Sequence, residues 1–144
     1  MGYTHYWTPV GTMSLGLVVN DTEKILTATT VPLAGWDGTG KPEISSASIR
    51  LNGVTPDDYE TFLLRPDGEW SFCKTGQEPY DEVVTAILIS AFLRGALVDL
   101  DSDGFVEDWA AGIALYEKAV SPLGTHERTA LIGKIGGRAT AVTP

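Results

Sequence analysis

The residue types in this chain that could carry chemistry are few: one cysteine, Cys73, two histidines, His5 and His126, and a run of alternating carboxylates at Asp99, Asp101 and Asp103. Cys73 and His5 could act as nucleophile and base, with Asp81 or Asp103 orienting the ring. A reactive cysteine is a thiolate held by nearby positive charge, and Lys74 is its neighbour in sequence. On a strand, however, adjacent side chains point to opposite faces, so Lys74 would turn away from the sulfur. A lone strand cysteine is more often a small core residue. His5 reads as a ligand contact or as a half-buried histidine with one satisfied nitrogen. A zinc site would need Cys or His pairs, and the chain has none at ligand spacing.

The segment Asp99-Leu-Asp101-Ser-Asp103-Gly104-Phe-Val106 matches a calcium loop at positions 1, 3, 5, 6 and 8. Such a loop also needs a bidentate Glu at position 12, where this chain has Ala110. The simpler reading makes Asp103 the cap of a helix opening at Phe105, with Glu107 and Asp108 favouring its positive end. The glycine-rich pieces TGQEP, DGTGKP and GKIGGR lack the spacing of a phosphate loop. No metal and no cofactor is expected from any motif.

Lys41, Arg50 and Lys74 are scarce cations in an acidic chain of net charge −9. If Lys74 and Arg50 share a sheet face with Trp70, they could grip a small anionic ligand; the competing expectation is cross-strand pairing with Glu60. Trp36 stands in a long Gly- and Pro-rich loop, Pro32 to Pro42. Long loops in compact domains are often functional, although an aromatic there also serves to plug the edge of a core.

These side chains must be positioned by a single domain, since 144 residues with 43 % hydrophobic content suffice for one real core. The negative charge disfavours unaided binding to nucleic acid or an anionic membrane. It is unevenly spread: residues 1–121 carry seven Lys and Arg against eighteen Asp and Glu, while residues 122–144 carry Arg128, Lys134 and Arg138 against Glu127. That basic tail could stay solvated, fold back, or reach an identical neighbour. One cysteine permits no intramolecular disulfide. The opening MGYTHYWTPV has neither a basic start nor a continuous apolar stretch, as a secretory signal would. The apolar run Val83–Val98, interrupted by Arg94 and Gly95, is too short to span a bilayer. A cytosolic protein is the resulting expectation.

Residues Gly2 to Trp7, rich in aromatic and Thr residues, predict a first strand. DTEKILTA after LGLVV predicts a helix. ISSASIRLN and YETFLL alternate with period two and predict strands. Arg65-Pro66-Asp67-Gly68 is a turn by its chemistry, and predicts a hairpin onto WSFCKT with Trp70, Phe72 and Lys74 on one face. VVTAILISAFL, opened by Pro79 and acidic residues, is apolar nearly all round and predicts a buried helix ending at Gly95. Ala96–Leu100 could add a strand. Val106, Trp109, Ile113, Tyr116 and Val120 predict an amphipathic helix stopped at Ser121-Pro122. Ala130–Ile135 suggests one more strand.

Taken together, MGYTHYW, VPLAG followed by DGTG, ETF, FCKTG with PYD, and SDG with DW resemble a family of small, uncharacterised proteins of bacteriophages, prophages and some bacteria and archaea. The likeness covers residues 1 to about 119. On matching positions its polar residues are His5, Glu60, Cys73, Lys74, Tyr80, Asp81, Asp103 and Trp109. The resemblance implies a phage accessory protein in the host cytoplasm, with a counter-defence or host-modulating role.

The expectation is therefore an α+β domain over residues 1–121, an antiparallel sheet of four or five strands packed on two or three helices, followed by a basic tail, 122–144. Its expected function is non-enzymatic binding of a small anionic ligand or of a host or self partner, as a homo-oligomer. Candidate ligand residues are His5, Trp36, Arg50, Glu60, Cys73, Lys74, Asp81 and Asp103. A Cys/His-dependent enzyme and a virion-associated structural protein are the alternatives.

Overall fold

The computed structural model describes residues 3–11 and 15–135; Met1 and Gly2, at the start of the expected first strand, and Arg138, in the tail, lie outside them. The chain is an α+β domain with antiparallel strands, as its patterning predicts, but the strands are divided between two sheets. Strand β1 (Thr4–Pro9) is the centre of the first sheet, flanked by β6 (Ser71–Lys74) and β7 (Leu97–Ser102). In the second, β4 (Ile49–Gly53) pairs with β2 (Leu33–Ala34), β3 (Glu43–Ile44) and β5 (Phe62–Leu64).

The turn at Arg65–Gly68 is present, with Gly68 at φ +73° and the Asp67 carboxylate accepting the Glu69 N–H. It does not close a hairpin. β5 pairs with β4 and β6 pairs with β1, so the turn is a corner between the sheets. Turn chemistry decides where a chain bends; burial of the strand faces decides which strand becomes the partner. At this corner Trp7 packs on Phe62, with ring centroids 5.2 Å apart.

Helix α1 (Gly16–Ala28) buries Val18, Asp21, Thr22 and Ile25, the stripe that a 3.6-residue period produces. Helix α2 (Asp81–Leu93) is buried almost without interruption from Val83 to Ala91 and contacts α1, β7 and the two later helices. Its end is a Schellman turn: Gly95, at φ +75°, donates to the Phe92 carbonyl, and Ala96 donates to that of Ala91. Where α2 passes helix α3 (Ala110–Ala119), Gly112 sits against Thr85, and a methyl group there would overlap that side chain.

Two local expectations are corrected. Asp103 does not cap the helix that follows. The Phe105 N–H is taken by Asp108, which opens a 3₁₀ turn at Val106–Trp109, whereas Asp103 turns back to accept the Thr4 N–H and the Tyr6 hydroxyl. Ala130–Ile135 is not a strand but the last part of helix α4 (Thr125–Ile135). Leu131 and Ile135 lie four residues apart on one helix face and are fully buried, with α4 against β7 and α2. A short apolar run cannot by itself distinguish the two states. Residues 125–135 thus belong to the same packed core as the rest, and the boundary expected at residue 121 does not end it.

Candidate functional site

The inner face of the first sheet gathers the residues with catalytic chemistry. β1 pairs with both neighbours at His5, opposite Cys73 on one side and Ser102 on the other. Asp81, in the first turn of α2, reaches the same point. His5 Nε2 lies 2.6 Å from Asp81 Oδ1, and His5 Nδ1 lies 2.8 Å from Ser102 Oγ. Thr75 donates to the same Asp81 oxygen at 2.6 Å. Tyr3 and Trp109 meet the imidazole edge-on, each with its centroid 5.1 Å away.

A serine, a histidine and an aspartate in contact resemble a hydrolase triad, but the donor count excludes that role. Ser102 Oγ accepts the Trp109 Nε1–H at 3.1 Å and the Gly104 N–H at 3.0 Å. Both lone pairs are then used, so its own hydrogen goes to His5 Nδ1. The ring is thereby assigned as the Nε2–H tautomer, donating to Asp81. Ser102 has no lone pair left for attack, and both His5 and Ser102 are fully buried. The cluster ties β1, β7, the segment after β6, α2 and the 3₁₀ turn into one unit.

The Cys73–His5 pair expected as a nucleophile and base is not formed. The thiol donates to the Glu60 carbonyl at 3.4 Å, and the nitrogens of His5 are bound elsewhere. Burial, reinforced by the carboxylates of Glu60 and Asp81, pushes the Cys73 thiol up to about 12, the opposite of what a thiolate nucleophile needs. The phenol of Tyr80, desolvated beside that sulfur, is raised as well.

Glu60 is part of the same framework. Its N–H and carboxylate bond the Lys74 carbonyl and N–H at the edge of β6, and its carbonyl also accepts the Tyr80 hydroxyl. Arg50 lies on the second sheet, paired with Glu43 instead of Glu60. Lys74 and Arg50 therefore do not share a face, which removes the geometric ground for gripping an anion between them. Trp36 does not plug the core: it is 59 % exposed, while its carbonyl accepts from Thr61 and from Asn52, a buried residue that also bonds both backbone groups of Tyr59.

The outer face of the first sheet is different in kind. Tyr6 stacks on Trp70 at 5.9 Å with planes 20° apart, and Trp70 meets Phe72 at 5.4 Å. Trp70 is 61 % exposed and Phe72 48 %. Along the neighbouring strand, Asp99, Asp101 and Asp103 stand on this same face. Two clefts flank Trp70. One, of about 210 Å³, is lined by Tyr6, Trp7, Thr8, Trp70, Asp99 and Asp101. The other, of about 360 Å³, is lined by Thr4, Tyr6, Trp70, Phe72, Lys74 and Asp103.

The site residues expected from sequence thus divide. His5, Cys73, Asp81 and Glu60 belong to the interior framework, Lys74 and Asp103 to the outer face, and Trp36 and Arg50 to neither. Sequence reasoning missed Ser102 and Thr75, which only the register brings to His5, and Tyr6, Asp99 and Asp101 as parts of a surface. The last two had a signal: carboxylates at every second residue are one face of a strand as well as the start of a calcium loop. The strand is what forms, so Asp99 and Asp101 do not curl round an ion. Comparison with protein-family models, curated proteins and solved structures finds no significant match to this chain.

Proposed function

We propose that this chain is a non-enzymatic binding protein whose working surface is the outer face of the β6–β1–β7 sheet. The observation that carries this reading is the exposed aromatic ladder Tyr6–Trp70–Phe72, which no described element covers. Large aromatic side chains contribute most of their stabilisation when removed from water, and they dominate the energetics of protein interfaces. Contiguous exposed apolar patches on a soluble domain commonly mark contact surfaces. The interior cluster around His5 ties the strands that carry that face to α2 and the 3₁₀ turn. In the setting implied by the resemblance, the protein acts as a phage accessory component in the host cytoplasm, engaging a host or self partner.

The test is affinity capture from bacterial lysate with the native chain and with the double variant Trp70→Ala/Phe72→Ala, read by mass spectrometry. Partners held by the native chain and lost by the variant, with the melting temperature retained, support the reading. An identical set of captured proteins, or none, overturns it.

A further inference from the structure

From the way α4 is seated we infer that this helix is a latch over the open edge of β7, opening as a unit while the rest of the domain stays folded. The inference rests on the binding role proposed above and names a regulator of that face. β7 is the last strand of its sheet, with β1 on one side and no strand on the other among the described residues. α2 packs against β7 from the inner face, where Leu100 is buried. α4 touches both β7 and α2. Yet Lys134, near its end, comes within 3.3 Å of Asp99, which lines the outer-face cleft beside Trp70. Since β1 blocks the other side, one helix can meet both faces of the sheet only by passing round the free edge of β7. Covering an edge strand with a helix protects it from unwanted strand pairing.

The helix is thinly attached. Of its eleven residues, Leu131 and Ile135 are buried, against ten of the thirteen in α2. Two apolar side chains must offset the conformational entropy of ordering the whole segment. The polar ties lie nearer the surface. Glu117 of α3 accepts the Leu123 N–H at 2.8 Å and meets Arg128 at 3.3 Å, and Lys134 meets Asp99. Exposed ion pairs contribute little and are screened by salt. The connection Ser121-Pro122-Leu123-Gly124 belongs to neither α3 nor α4, so α4 swings on it without either helix unwinding. Segments with few buried contacts open locally, well below the free energy of global unfolding. Among the described residues the bonds of the His5 network stay within β1, β7, α2, the segment after β6 and the 3₁₀ turn, so opening of α4 leaves that network intact. Released, the latch uncovers the backbone edge of β7 and takes Lys134 away from the cleft beside Trp70, which enlarges the face open to a partner.

The experiment is residue-level amide exchange of the full chain, followed by NMR over a series of low urea concentrations. The expected result is that the amides around Leu131 exchange about a hundredfold faster than those of Val84–Ala91 in α2, with little dependence on urea. Ser102→Ala, which weakens the interior network, should speed exchange in α2 and leave α4 unchanged. Leu131→Ala should speed α4 by about tenfold or more, and Asp99→Asn by up to about fivefold. Exchange of α4 at the α2 rate with the same urea dependence overturns the latch. So does Ser102→Ala speeding both helices alike, or an α4 with no protection at all. In the lysate experiment Leu131→Ala should raise the yield of the proteins whose capture depends on Trp70; an unchanged yield overturns the regulatory role. If α4 shows no opening of its own while capture still depends on Trp70 and Phe72, the binding face stands and only its latch is wrong.

Discussion

Ser102 stands at the centre of the interior network, since it joins the Trp109 indole and the Gly104 amide to His5 and, through His5, to Asp81. Replacing it with Ala leaves three buried polar groups without their partner, and an unsatisfied buried group costs about 1–3 kcal/mol. Ser102→Ala should therefore lower the urea midpoint by a corresponding amount with an unchanged m-value, while binding at the outer face is retained. Cys73 makes an independent prediction. Its folded pKa, raised to about 12, lies above the ordinary value of 9.0. The unfolded thiol loses its proton first as pH rises, so the unfolded state binds fewer protons across that interval. Stability is full below pH 9 and declines toward pH 12, by up to about 1.4 kcal/mol per pH unit for this group. Cys73→Ala should shallow the alkaline decline measured by denaturant titration, leaving the part due to Tyr80, which has the same sign. In the native protein at pH 8 the thiol should be inert to a disulfide reagent and become reactive only in denaturant.

Among the elements, α2 is the piece on which the others are laid, and its contacts explain which substitutions should hurt. Gly112 lets α3 approach Thr85 of α2, so Gly112→Ala forces the helices apart; overpacking of this kind costs about 1–3 kcal/mol. Thermal unfolding should show the loss, and Thr85→Ala in the same chain should recover part of it. On the other side, Leu131 of α4 is fully buried. Leu131→Ala should cost about 2–5 kcal/mol, the range for emptying a core position. A result near zero would mean that α4 does not pack on β7 and α2 in solution. Arg94, just past the end of α2, forks onto buried Asp21 of α1 at 2.9 and 3.0 Å, and Ser90 bonds the same carboxylate. That pairing, which raises the Arg94 pKa chiefly through the Asp21 hydrogen bond, explains how α1 carries an acidic residue on its buried stripe.

At the scale of the whole molecule, one sheet has two faces with opposite duties. The inner face is buried, with His5 bonded to Asp81 and Ser102 at its middle, and the outer face is aromatic yet open. Trp70→Ala should leave the melting temperature within a few degrees of native, because a largely exposed side chain contributes little to folding; a large drop would mean that the ladder is structural and not a contact surface. No helix among the described residues is long and apolar enough to cross a membrane. Two regions that seemed separate in sequence, the acidic body and the basic segment after residue 121, meet at Asp99 and Lys134. The tail's positive charge is thus partly spent on its own domain.

Residue patterning alone determined the class of this fold. Period-two runs placed the faces of Ser71–Lys74 correctly, and the nearly all-round apolarity of Val83–Ala91, broken by Thr85 and Ser90, marked a buried helix, because both signals depend only on neighbours along the chain. The sequence also carried the aromatic ladder and the alternating carboxylates, though not their meaning. Tertiary structure decided everything that depends on register and on partner choice: that β6 joins β1 and not β5, that His5 lies between Cys73 and Ser102, that Asp81 comes up from α2 to meet it, and that Asp99, Asp101 and Asp103 share a face with Trp70. Those outcomes are set by which surfaces exclude water most completely when the whole chain collapses, and no local stretch contains that information.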